Sequence, residues 1–216
     1  MTSRFTTPDL DVREAYVRRP VGQVAAVPGL IPGTDEHPCV RMGAMTTQER
    51  TEPAPDAAER EMLEGWLDYH RRTLALKCAG LDDRQLKEVA LPPSELSLLG
   101  LVRHMAEVER GWFRNRMADE KAGPIYFSEA DQDGDFHVGP ADTWDEAYAT
   151  WQAEIAHARV VAAPLGLDDL GEGPPDRATG RRFNLRWIYT HMIEEYARHN
   201  GHADLLREQI DGTTGD

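Results

Sequence analysis

The 216-residue sequence predicts an all-α four-helix bundle, and three observations carry that prediction. Apolar residues recur at helical spacing in four separate segments. Each segment is bounded by capping residues or by glycine and proline. No stretch of convincing length alternates with the two-residue period of a strand. A chain of this size favours one domain plus decoration, and it can bury a real core without disulfides.

Residues 1–55 read as an irregular, mobile extension, and residues 56–216 as the bundle. The extension holds seven of the fourteen prolines (Pro8, Pro20, Pro28, Pro32, Pro38, Pro53, Pro55) and no sustained period. Met45, near its end, is a candidate alternative start. The first helix is expected to open at Asp56, with Glu59 at the capping-box spacing, and to run to Gly80 through Met62, Leu63, Trp66, Leu67, Leu74 and Leu76. Leu91-Pro92-Pro93 then makes a rigid approach to a second helix capped at Ser94. That helix repeats Leu98, Leu101, Val102, Met105, Val108 and Trp112 at i, i+3, i+4, i+7 and ends near Glu120.

An acidic connection over 123–141 follows, with Glu129, Asp131, Asp133 and Asp135 set around Phe127 and Phe136. The alternating Asp131, Asp133 and Asp135 look like part of a calcium loop, but Asp142 stands where a bidentate Glu belongs, so a solvated loop is the better reading. The third helix opens at Thr143 with Glu146 at the box spacing and ends near Ala163, ahead of Pro164 and Gly166. Gly171-Glu172-Gly173-Pro174-Pro175 leads to the fourth helix, capped by Asn184 and closed by Asp211-Gly212.

That last helix carries the chemistry. At ~100° per residue, Ile188, Met192, Glu195, His199, Ala203 and Leu206 share an arc about 80° wide. This arc is the apolar stripe that must face the core. It places an ionisable Glu and His one turn apart among Ile, Met and Leu, with His191 and His202 just off the stripe. A buried carboxylate is costly without a partner. A divalent cation is one such partner, and Glu-x-x-x-His presents two ligands from one helix. His104, at the edge of the second helix's stripe, offers a third, making a His₂Glu set that leaves positions open for water or substrate. The alternatives are a hydrogen-bonded structural His104 and a metal-free Glu195–His199 hydrogen bond. Asn200-Gly201 could end the helix, but Ala203, Leu205, Leu206 and Ile210 continue its period. Glycine inside a helix costs about 1 kcal/mol against alanine, which predicts a close neighbour at Gly201.

Other candidates rank lower. His70 precedes Arg71-Arg72 and reads as surface or groove-facing, while His137 and His157 lack a ligand-like partner at helical spacing. Cys78 reads as a small core residue. Cys39 and Cys78 match no zinc or redox spacing, which suits a reducing compartment. A net charge of −14 disfavours nucleic acid and anionic membrane surfaces. No run is long and apolar enough to span a bilayer, and the N-terminus lacks a secretory pattern, so the cytoplasm is the expected location. Nucleophile-elbow, phosphate-loop and dinucleotide motifs are absent.

The run Leu98-Leu99-Gly100-Leu101-Val102-Arg103-His104, with Glu107-Val108-Glu109-Arg110, resembles the second-helix signature of the DinB-like superfamily. The run from Arg186 to Arg207 resembles its last helix. The resemblance covers about residues 55–215 and is strongest to the branch of mycothiol transferases. It implies a four-helix bundle of the DinB/YfiT-like type with a long crossover, and a metal held by one His from the second helix and two ligands from the last. Most members supply His-x-x-x-His there; Glu195 takes the first of those positions here, as in the mycothiol-dependent maleylpyruvate isomerase branch.

The resemblance implies the ligand set His104, Glu195 and His199, with His202 and His191 in reserve, and zinc as the metal ahead of nickel, iron or manganese. The expected activity is metal-dependent transfer of a low-molecular-weight thiol, of the mycothiol type, to a small electrophile in detoxification or thiol metabolism. Its rivals are a thiol-dependent isomerase of an unsaturated acid and a non-catalytic metal-binding bundle. The pocket is expected at the His104 end, shaped by the 123–141 loop with Trp112 or Tyr126. A homodimer is common among similar bundles, although no apolar stripe is visibly left over for one.

Overall fold

The computed structural model describes residues 50–215. The expectations for residues 1–49, Met45 and Cys39 included, lie outside the described residues. The helices are α1 (Glu59–Cys78), a short α2 (Asp83–Leu86), α3 (Leu98–Glu109), α4 (Trp144–Ala162) and α5 (Leu185–Asp211), with α3 running on as a π-helical segment, Arg110–Met117. Among the described residues no strand forms, and Leu170 and Asn184 make one isolated antiparallel bridge. The all-α bundle predicted from the sequence is therefore the observed fold. No described helix is long and apolar enough to cross a membrane.

α1 packs chiefly on α5 and α3 on α4, while α3 and α5 meet along a seam. Ring contacts between His104 and His199, between Trp112 and His191, and between Phe113 and Tyr189 fix that seam as antiparallel, because numbers rise on one helix as they fall on the other. Leu67, Leu74, Leu99, Met105, Trp151, Ile188, Met192 and Leu206 fill the centre with almost no exposure. Each large apolar side chain buried this way contributes roughly 1.5–3 kcal/mol.

The helix starts were partly legible. Thr143 and Asn184 cap α4 and α5 as expected, accepting from the backbone N–H of Glu146 and Trp187. Gly212, at φ +80°, closes α5 in the left-handed conformation. At α1 the expected Asp56–Glu59 box does not form: the helix begins at Glu59 behind Ala58, with no side-chain cap. Glu59 is instead drawn to Arg186 of α5, at 2.5 Å. The cap of α3 is Ser97, three residues later than expected, and it accepts from Gly100 N–H at 3.1 Å. Ser94 caps a turn of its own, accepting from Leu96 N–H.

The expected continuous α-helix to Glu120 is corrected to an α-helix followed by eight π-helical residues. The wider winding of an i→i+5 ladder lets Phe113 and Met117 both reach the core while Trp112 turns to α5. Arg110 and Arg114 converge on the buried carboxylate of Glu154, each at 2.7 Å. Residues 171–173 lie against the end of this segment: Glu172 and Gly173 donate their N–H groups to the carbonyls of Met117 and Arg116. A Cβ on Gly173 would stand 1.9 Å from the Asn115 carbonyl oxygen, so only glycine allows this approach. The prediction of a close neighbour at Gly201 is wrong, since that position is exposed and open.

Candidate metal centre

Three of the chemistry-bearing side chains singled out in the sequence come together on the α3–α5 seam. His104, Glu195 and His199 each offer a ligand atom, and these atoms all lie within 4.8 Å of one another. The i, i+4 spacing on α5 sets Glu195 Oε2 3.6 Å from His199 Nε2. The His104 and His199 rings meet edge to face with centroids 4.6 Å apart. His199 is buried, whereas Glu195 and His104 are partly exposed, so the cluster sits at the rim of the core.

Each of the three is held from outside. Asp135 Oδ2 lies 2.7 Å from His104 Nδ1, which leaves Nε2 of that ring for the cluster. His191 Nε2 lies 3.2 Å from Glu195 Oε1. His202 Nδ1 lies 3.4 Å from His199 Nδ1, leaving His199 Nε2 turned toward Glu195. His191, Glu194 and Glu195 form a second group with donors inside 4.8 Å, more open to solvent. His202 belongs to neither group.

The electrostatics suit a cation. His191, then His199, hold the Glu195 carboxyl well below the usual carboxylate range against the opposing effect of its burial. Burial pushes the His199 imidazole down, offset by Glu195 and reinforced by His104. A carboxylate at Glu195 and a neutral imidazole at His199 are protonation states a divalent ion requires, and with the second imidazole of His104 the donor chemistry fits such an ion. Cys78 is buried and its thiol is pushed up to about 12 by burial, so it is a core residue and not a nucleophile.

The 123–141 connection departs from the expected solvated loop. Arg103 donates to the Gly134 carbonyl, the His137 carbonyl and Asp142. Glu107 accepts from the N–H groups of Ile125 and Tyr126, each at 2.6 Å. These contacts fasten the segment to α3, bury Asp135 and stack Phe136 on His104 with centroids 4.6 Å apart. Sequence reasoning missed Asp135 because its partner is 31 residues away. The phenylalanines flanking the acidic run were the available signal. Of the two proposed pocket aromatics, Tyr126 lies under the Arg103 guanidinium, 4.4 Å away. Trp112 instead joins Phe183, Trp187 and His191 in an aromatic wall one turn of α5 beyond Glu195, with centroids 4.5–5.2 Å apart. Trp187 stays 44% exposed and borders a groove of about 420 Å³ with Arg186, Thr190, His191 and Glu194.

The remaining histidines have other partners. His70 is half-buried and takes its ring and carbonyl to the Asn200 amide, locking α1 to α5. His137, itself in the connection before α4, pairs with Asp131 six residues earlier, and His157 of α4 pairs with Glu120 from the start of that connection.

A helical bundle with a candidate two-histidine, one-glutamate centre on the seam between α3 and α5 is the class that this fold and site define. A family model for mycothiol S-transferases matches residues 62–212, and the chain belongs to that family, the mycothiol transferase branch of the DinB-like bundles. Membership supports thiol transfer of the mycothiol type and implies a thiol co-substrate. No curated protein matches the chain in direct comparison.

Proposed function

We propose that this protein is a divalent-metal-dependent S-transferase that joins a mycothiol-type thiol to a small electrophile in the cytoplasm. The observation that carries the reading is the convergence of His104, Glu195 and His199, from two helices distant in sequence, with Glu195 held as a carboxylate and the His199 imidazole pushed toward its neutral form. His104 Nε2, Glu195 and His199 Nε2 would hold zinc, or nickel, iron or manganese in its place. Three protein ligands leave a coordination position for another donor. The ion, when bound, supplies positive charge that favours a thiolate over a thiol at neutral pH.

The chain's own residues do the rest. The carboxylate of Glu195 and the rings of His104 and His199 would hold the ion in place, and His191 keeps Glu195 oriented. The wall of Trp112, Phe183 and Trp187 lies beside the cluster and gives an apolar surface for the electrophile. In the transfer the thiol S–H proton is released, an S–C bond forms, and the electrophile's leaving group departs with its electron pair.

A second reading keeps the thiol but makes the reaction isomerisation of an unsaturated acid. Glu195, at the position where most relatives carry His, favours it. The two are separated by incubating metal-loaded protein with thiol and either chlorodinitrobenzene or a bimane, and with an unsaturated acid. Thiol consumed in proportion to the electrophile supports transfer; thiol regenerated while the acid isomerises supports the second reading. Stoichiometric metal with neither reaction leaves a binding bundle and overturns both.

A further inference from the structure

We infer that Asp135, carried on the crossover segment, is a positioning residue for His104, so that the segment over 124–139 is a working part of the metal centre and not a cover over it. The inference rests on the metal-dependent reading above. Its first support is that Asp135 is not needed to dock the segment. Arg103 already grips two of its carbonyls and Asp142, and Glu107 already accepts two of its N–H groups. Asp135 is nevertheless buried to 6% exposure and commits a carboxylate oxygen to His104 Nδ1. A buried carboxylate is unfavourable unless a partner compensates it, so the site is built around this contact.

The second support is geometric. Hydrogen bonding at Nδ1 fixes the ring so that Nε2 is the free donor, and Phe136 stacks on the same ring at an interplanar angle of 24°. Adjacent residues thus set the tautomer and the plane of one imidazole. Gly134 makes the approach possible, because a Cβ there would lie 2.5 Å from the Tyr126 carbonyl oxygen. A carboxylate on the far nitrogen of a histidine ligand raises its basicity and holds its orientation, and losing it typically costs about 10- to 100-fold in metal affinity. Such an ion would in turn strengthen the Asp135–His104 contact, so metal binding and the order of the segment should rise together.

The test measures zinc affinity by chelator competition and the cobalt(II) absorption spectrum for the wild type, Asp135→Ala and Asp135→Asn. Asp135→Ala should bind about 10- to 100-fold more weakly, with altered cobalt bands. Asp135→Asn, which keeps an acceptor but loses the charge, should fall between. Alanine and wild-type proteins that bind alike with the same bands overturn the inference. If Asp135→Ala fails to fold by circular dichroism, hydrogen exchange on the wild type decides: zinc should slow amide exchange across 124–139, and no change there overturns it. A wild type that takes up no divalent ion overturns the metal-dependent reading and this inference with it.

Discussion

Tyr196 donates its hydroxyl hydrogen to Glu109 at 2.7 Å in the centre of the bundle, and that carboxylate is also gripped by Nε and Nη2 of the Arg71 guanidinium, each at 2.8 Å. Trp151 completes the chain by donating its indole N–H to the Tyr196 oxygen. The network ties α1, α3, α4 and α5 together one residue beyond Glu195, so it sets the rotation of α5 on which the candidate centre depends. Such a buried pair is costly to break, because removing one partner leaves a charge without compensation.

Removing only the Tyr196 hydroxyl tests that network. Tyr196→Phe should destabilise the fold by about 1–3 kcal/mol, as a buried acceptor and the Trp151 donor lose a partner. Glu109→Gln should cost more, about 3 kcal/mol, since the buried Arg71 then keeps only the partly exposed Asp68 as a counter-charge. Denaturant melts of both variants check the order; a Tyr196→Phe protein as stable as wild type contradicts it.

The connection before α5 offers a steric test. Gly173→Ala places a Cβ against the Asn115 carbonyl and must shift the backbone over the end of the π segment. A loss of about 2 kcal/mol or more is expected, at the severe end for a single substitution. Gly201→Ala, at an open helical position, should instead stabilise by up to about 1 kcal/mol. Thermal unfolding of the pair gives opposite signs if both environments are as described.

Acid stability follows from the two shifted groups. His199 is depressed by burial, so the unfolded chain takes up its proton first, and stability is lost as pH falls from about 6.5 through the folded value. Glu195 is depressed by its histidine neighbours, so its contribution is present above about 4.3 and is lost as pH falls through its own folded value. Metal-free protein should therefore weaken in two successive windows on acidification. His199→Gln should remove the upper window and, because His199 also helps hold Glu195 down, weaken the lower one, which urea titrations from pH 7 downward will show.

The aromatic wall predicts a split in kinetics. Trp187 is half-exposed and outside the core, so Trp187→Ala should leave folding nearly intact. It should raise KM several-fold for an aromatic electrophile such as chlorodinitrobenzene, with little change for a small aliphatic one, because aromatic pairs contribute about 0.5–1.5 kcal/mol beyond area burial. Equal KM changes for both substrates would contradict the wall's role.

Local and periodic features were legible in the sequence. The apolar stripes of α3 and α5 announced the bundle, Thr143 and Asn184 announced helix starts, and Glu195 and His199 stood out because ionisable groups interrupted a stripe. What escaped was set by tertiary partners. Asp135 and His104, or Glu109 and Arg71, lie far apart in sequence, and no periodicity links them. Arg71 figured only as a neighbour of His70, yet its guanidinium is buried. Glu59 had the spacing of a capping residue, but the attraction of Arg186 outweighed the local hydrogen bond. The π segment was hidden because its composition suits an α-helix equally well.

The most direct test is the metal content of purified wild-type, His104→Ala and His199→Ala proteins, measured alongside thiol-conjugating activity before and after chelation. One divalent ion per wild-type chain is expected, with metal and activity lost together on chelation and in both variants. A His199→Ala protein that retains stoichiometric metal, or a chelated wild type that still conjugates thiol at full rate, would contradict the assignment of His104, Glu195 and His199 to a metal centre.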